Sequence, residues 1–206
     1  MLGYNTLMSS GEEKLWQTIS ALSPEEICSR TGALFDAATG LYTLKSFGKD
    51  FFISPKEKRI FSNAGENEFF LKKPGYFFRL SVLGYLSVSK KLMLSGKLIN
   101  PVNMKSGQLF FRGTHVLPLS GLAQKYDTDR DAFLRKGEEY GAEKAAYGDA
   151  SVTLHPFPNV PVVLILWLAD EEFEARANIL FDSSVEDQMP IDVVWSIAML
   201  TVISFV

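Results

Sequence analysis

With 206 residues, 47% of them hydrophobic and 22% charged, the chain has the size and composition of one globular domain. Its 16 Phe, 7 Tyr and 3 Trp exclude the disordered class, which lacks the apolar material that offsets conformational entropy. A net charge of −3 and a pI near 5.5 present no basic field to nucleic acid, since pairs such as Lys72-Lys73 and Lys90-Lys91 are short and scattered.

The N-terminus has no charged stretch leading into an apolar one, so no secretory signal is expected. Ser9 or Ser10 followed by Glu12-Glu13 reads as a helix start, and Leu15, Trp16, Ile19 and Leu22 form its apolar stripe. Ser23-Pro24-Glu25-Glu26 opens a second short helix, with Ser as cap and Pro in the first turn, and Gly32 ends it. The single cysteine, Cys28, lies on that helix with Arg30 as the nearest cation. One thiol cannot make an internal disulfide, a structural zinc site or an iron–sulfur site. It suits a reducing compartment, so a soluble cytoplasmic protein is expected.

The period then changes. Runs from Leu41 to Phe47, Phe51 to Ser54 and Arg59 to Ser62 are β-prone, separated by Gly48-Lys49-Asp50 and by Pro55-Lys56-Glu57-Lys58, which predicts a small antiparallel meander. Gly75 to Leu94 is long, apolar and free of Pro, and reads as a buried helix despite Gly84. After a loop containing Asn100-Pro101 and Ser106-Gly107, helices are predicted over Leu117 to Lys125 and Arg130 to Tyr140, the second capped by Thr128. Ser151 to His155 reads as a strand ended by Pro156 and Pro158. Val160 to Leu168 is apolar on both faces and so central. Arg176 to Phe181 is its returning partner, and Asp182-Ser183-Ser184 caps the element after it. Pro190 opens a terminal helix in which no residue from Val193 to Val206 is charged. That stretch falls short of the roughly 20 residues of a membrane span and has no flanking Lys or Arg, so a buried helix is expected and not a tail anchor. Strands gathered at two places with helices between them predict an α+β fold, a single domain over 1–206.

Chemistry has few footholds. Asp170, Glu171, Glu172 and Glu174 are the densest carboxylates; they could hold a cation or do acid–base work, but a hairpin tip explains them as solvating residues. Asp182 stands about 20 Å from Asp170 along the returning strand, at ~3.3 Å per residue. The same pairing places His155, Asp182 and Ser183 or Ser184 at one end of the sheet, a base, a carboxylate and a hydroxyl. Against that, Ser183 with Glu186 matches a capping box. Arg112 and His115 form a candidate anion site, and two distant histidines argue against zinc. Trp167 beside Asp170-Glu171 completes the candidates. No Gly-rich phosphate loop occurs.

The segments Phe157-Pro158-Asn159-Val160-Pro161, Leu166-Trp167 through Asp170-Glu171-Glu172-Phe173, Asn178-Ile179-Leu180-Phe181-Asp182-Ser183-Ser184 and Met189-Pro190 resemble a domain-of-unknown-function family of anaerobic bacteria and archaea. Looser similarity runs upstream through Gly148-Asp149-Ala150 and the meander. The resemblance implies a setting in anaerobic redox and corrinoid metabolism, in which some relatives are joined to iron–sulfur proteins; it supplies no catalytic residues. The expected function is that of a non-enzymatic ligand-binding or accessory domain, its aromatic side chains lining an apolar pocket and its partner a small molecule or a redox protein. The alternatives are a hydrolase-like enzyme using His155 and Asp182, and a protein-interaction domain.

Overall fold

The computed structural model describes residues 10–63, 67–72 and 74–206; Ser9 and Lys73 lie outside them. Helix α1 (Ser10–Ala21) leads into α2 (Pro24–Thr31), where the Ser23 hydroxyl accepts from the Glu26 amide and Gly32 closes the helix in the left-handed conformation. An antiparallel four-stranded sheet comes next in chain order: β1 (Leu34–Asp36), β2 (Leu41–Ser46), β3 (Lys49–Ser54) and β4 (Arg59–Phe61). The predicted meander is there, with β1 added and one break moved. Lys49 and Asp50 belong to β3, so the turn is Phe47-Gly48, both at positive φ. A two-residue hairpin needs that geometry to match strand twist. Phenylalanine adopts it at some cost, but its ring is fully buried, stacked 5.0 Å from Phe70.

Helix α3 (Glu68–Lys72) precedes α4 (Gly75–Val88), which stops six residues before the predicted Leu94. The reason is local. The Ser89 hydroxyl donates to the Tyr85 carbonyl, and Arg30 donates to the carbonyls of Ser87 and Ser89, so a cation and a hydroxyl take the orphan acceptors of the helix end. Next come β5 (Leu98–Ile99), a 3₁₀ turn over Pro101–Asn103, α5 (Gly107–Phe110), a second 3₁₀ turn over Gly113–His115, α6 (Leu119–Lys125) and α7 (Arg130–Glu139). The cap of α7 is Asp129, whose carboxylate accepts from Ala132 at 2.8 Å; Thr128 sits one residue too early and donates to Asp127 instead.

Strands β6 (Glu143–Lys144), β7 (Ala150–Phe157), β8 (Val160–Trp167) and β9 (Arg176–Asp182) complete an antiparallel sheet of order β5-β9-β8-β7-β6. As its apolar faces required, β8 is central. Pro156 does not end β7. It lies in a register shift between Leu154 and Phe157, a bulge being where a residue without an amide proton is tolerated. There the His155 carbonyl accepts from the Phe47 amide of the other sheet at 3.0 Å. The chain ends with α8 (Val185–Gln188) and α9 (Ile191–Phe205).

Helix α9 packs on α4, α1 and α2 rest on α4, α6 touches both β9 and α9, and α7 covers β7. One hydrophobic cluster runs through all of them, from Trp16 and Phe51 to Leu164 and Phe205. The architecture is α+β. Gly84 explains itself at the α4–α9 crossing: a Cβ there would stand 2.8 and 2.9 Å from the two methyls of Val193. Gly84→Ala is therefore expected to cost about 1–2 kcal/mol by denaturant melts, although alanine favours helix by ~1 kcal/mol. Adding Val193→Ala should recover most of that loss, whereas additive effects in the double variant would show that the crossing is not tight.

Candidate functional site

Aromatic side chains gather where α1, α4 and α9 meet the 107–115 segment. The Trp195 side chain is positioned first: its Nε1 donates to the His115 carbonyl at 2.9 Å. The His115 ring stands nearly perpendicular to the indole, centroids 4.8 Å apart, and stacks on Phe110 at 4.6 Å. Phe77 also meets Trp195 edge-on, at 5.4 Å. Edge-to-face and offset pairs of this kind hold rings in fixed orientations. Arg79 pairs with Glu12, tying α4 to α1 beside them.

These elements enclose a half-open cleft of about 270 Å³, lined by Tyr76 and Leu80 of α4, by Phe110 and His115, and by Asp192 and Trp195 of α9. Tyr76 is 59% exposed and stands at the mouth. Asp192 is exposed. One of its carboxylate oxygens accepts from the Val193 amide, and among the described residues it makes no ion pair. Among the described residues the cleft therefore combines largely apolar and aromatic side chains with one formally charged side chain, Asp192, a make-up that small-molecule sites share. His115 is the one candidate from the sequence that it contains. Arg112 lies outside the lining and exposed, so the two do not form a shared anion site in the cleft. Tyr76, Phe110 and Asp192 carry no binding signal in the sequence. The helix that carries Phe110 is too short to show a period, and the convergence of His115 with Trp195, 80 residues further on, leaves no mark on local sequence.

The other candidates have structural tasks. Asp182, 5% exposed, accepts from the Ser95 amide and hydroxyl and the Ser184 amide with one oxygen, each at 2.9 Å, and from the Gly96 amide with the other at 2.7 Å. Burial pulls its pKa up, but the hydrogen bonds from Ser184 and Ser95 prevail and hold it at about 2. It clasps the 95–97 turn to the end of β9. His155 does lie at the same end of the sheet, on β7, with β8 between the two. Its side chain is exposed, and among the described residues no hydrogen bond joins it to Asp182, so the geometry gives a dyad no support. Ser183 shares a hydrogen bond with Ser95, hydroxyl to hydroxyl at 2.9 Å. The capping box does not form: Glu186 accepts from the Lys105 amide.

Asp170 accepts from the amides of Glu172 and Phe173, closing the β8–β9 connection, and Glu171 is solvated. Trp167 is covered by the Arg176 guanidinium at 4.8 Å and lies over Gly148, where a Cβ would approach the indole to 3.2 Å and the Leu166 carbonyl to 2.7 Å. Cys28 is half-buried, and burial pushes its thiol pKa up, the opposite of an activated nucleophile. Among the described residues no three His, Cys, Asp or Glu side chains converge as a metal site, and no helix is long and apolar enough to cross a membrane.

The family model described as a domain of unknown function (DUF3786) matches residues 23–204, and the chain belongs to that family. No curated protein and no solved structure matches it.

Proposed function

We propose that this member of the family is a binding domain, and that it takes a small organic ligand against the rings of the Trp195–His115 cleft. The observation that carries the reading is the ring cluster itself: Phe77, Phe110 and His115 pack against Trp195 at the wall of a half-open cleft. Rings oriented before the ligand arrives spare it part of the ordering cost of binding. The volume also sets a size. About 270 Å³ is at the lower edge of ligand pockets, which span ~300–1,000 Å³, so one or two fused rings, or a branched group of that bulk, would fill it. A redox-accessory role is compatible with this reading through a ligand that inserts only an edge or a side arm, as a flavin could. Haem and corrins exceed the cleft.

A thermal-shift panel of flavins, nucleotides, haem, corrins and compact amines and aromatics tests the reading on the full chain. A ligand at about 100 times its Kd should raise the melting midpoint by roughly 5–10 °C. Tyr76→Ala, at an exposed position, should leave the ligand-free midpoint unchanged and reduce the shift. A ligand whose shift is unaffected by Tyr76→Ala and by Trp195→Leu binds elsewhere, and that result, or no shift across the panel, overturns the assignment of the cleft.

A further inference from the structure

We infer that the cleft selects an organic cation, an alkylated ammonium group, over neutral or anionic ligands of the same shape; this rests on the cleft being the binding site. Two observations converge on it. The lining includes the rings of Tyr76, Phe110 and Trp195, and aromatic rings attract ammonium groups, Trp most strongly. The one formally charged side chain in the lining is the Asp192 carboxylate, which has no ion-pair partner among the described residues. A carboxylate beside rings supplies the long-range part of the attraction while the rings supply the contact.

The start of α9 does not reverse this sign. Its partial positive charge, about half a unit, would favour an anion, but the full negative charge of Asp192 stands in that first turn and outweighs it, and the Val193 amide already donates to the Pro190 carbonyl and to Asp192. The indole N–H is likewise committed to the His115 carbonyl, so Trp195 offers a ligand its ring and no donor. The cationic candidate Arg112 does not line the cleft. Half-open walls suit a group presented on a larger molecule, such as a trimethylammonium head, better than one that must be swallowed whole.

The test compares choline with its carbon isostere 3,3-dimethyl-1-butanol, which has the same shape and no charge, by titration calorimetry or by Trp fluorescence in a Trp167→Phe background. Choline should bind about tenfold or more tighter than the alcohol. Asp192→Asn, which keeps an oxygen for the Val193 amide, should remove most of that preference and lower the melting midpoint by no more than a few degrees, since a first-turn carboxylate contributes about 0.3–1 kcal/mol to a helix. Equal affinity for the two compounds overturns the cation inference and leaves the cleft as a binding site. A preference that survives Asp192→Asn overturns the role of the carboxylate. Binding of neither compound overturns the cation inference, and the wider ligand panel then decides the cleft separately.

Discussion

A chain that stops at Pro190 will be recovered unfolded or aggregated. The cut removes α9, whose Val194, Ile197, Leu200, Val202 and Phe205 are all no more than 1% exposed. Burying such side chains contributes roughly 1.5–3 kcal/mol each, so five of them are of the same size as the typical 5–15 kcal/mol net stability of a domain. The damage extends to polar groups. The Tyr126 hydroxyl donates to the Phe205 carbonyl at 2.9 Å and the Tyr140 hydroxyl to the Ser204 carbonyl at 3.1 Å. Both tyrosines are buried and would lose their acceptors as the α4 face and Phe133 are laid open. Circular dichroism and size-exclusion chromatography will show it; a truncated protein that runs as a compact monomer with a cooperative melt would make α9 an appendage and refute the account of the core.

Asp182→Asn is expected to cost about 2–4 kcal/mol at pH 7, because a neutral amide offers one acceptor and two donors to a turn that supplies only donors. The pH dependence makes the test specific. The folded-state pKa of about 2 lies below the ordinary aspartate value of ~3.9. The ionised form is thus favoured in the folded protein. Its contribution, about 2.5 kcal/mol, is complete above ~pH 5 and is lost as the pH falls toward 2. The stability gap between wild type and Asp182→Asn should therefore shrink by about half at pH 3 and nearly vanish at pH 2. Other carboxylates titrate in the same window, so the difference between the two proteins, measured by urea unfolding, is the quantity to track. A gap that stays constant from pH 7 to pH 2.5 would mean that the clasp does not depend on the charge.

Much of the fold was legible because its signals are local. Ser23, Pro24 and Gly32 delimit α2 by filling cap positions that any helix needs. The unbroken apolar run of Val160–Trp167 could only be a strand covered on both faces, and it is the middle strand of its sheet. Pro190 and the charge-free stretch from Val193 to Val206 marked a buried helix. Where two local signals competed, tertiary contacts chose between them. Thr128 and Asp129 are both capping types, and the start of α7 uses the second. Apolar character continues past Val88, but Arg30, 57 residues before Ser87, takes the carbonyls that end α4.

What the sequence determined alone was the α+β class, the β8 core and the buried end of the chain, since periodicity and caps act over a few residues and survive without knowledge of partners. The site was another matter. His155 and Asp182 share a sheet end as the strand lengths imply, yet only the position of the Ser95-Gly96 turn, 86 residues before Asp182, decided that the carboxylate is a clasp. His115, Trp195 and Tyr76 come from a loop and two helices, and nothing in their neighbours announces that they meet. A cleft of this sort is made by the packing of elements whose contacts are long-range, and its lining of rings with the Asp192 carboxylate exists only once that packing is in place.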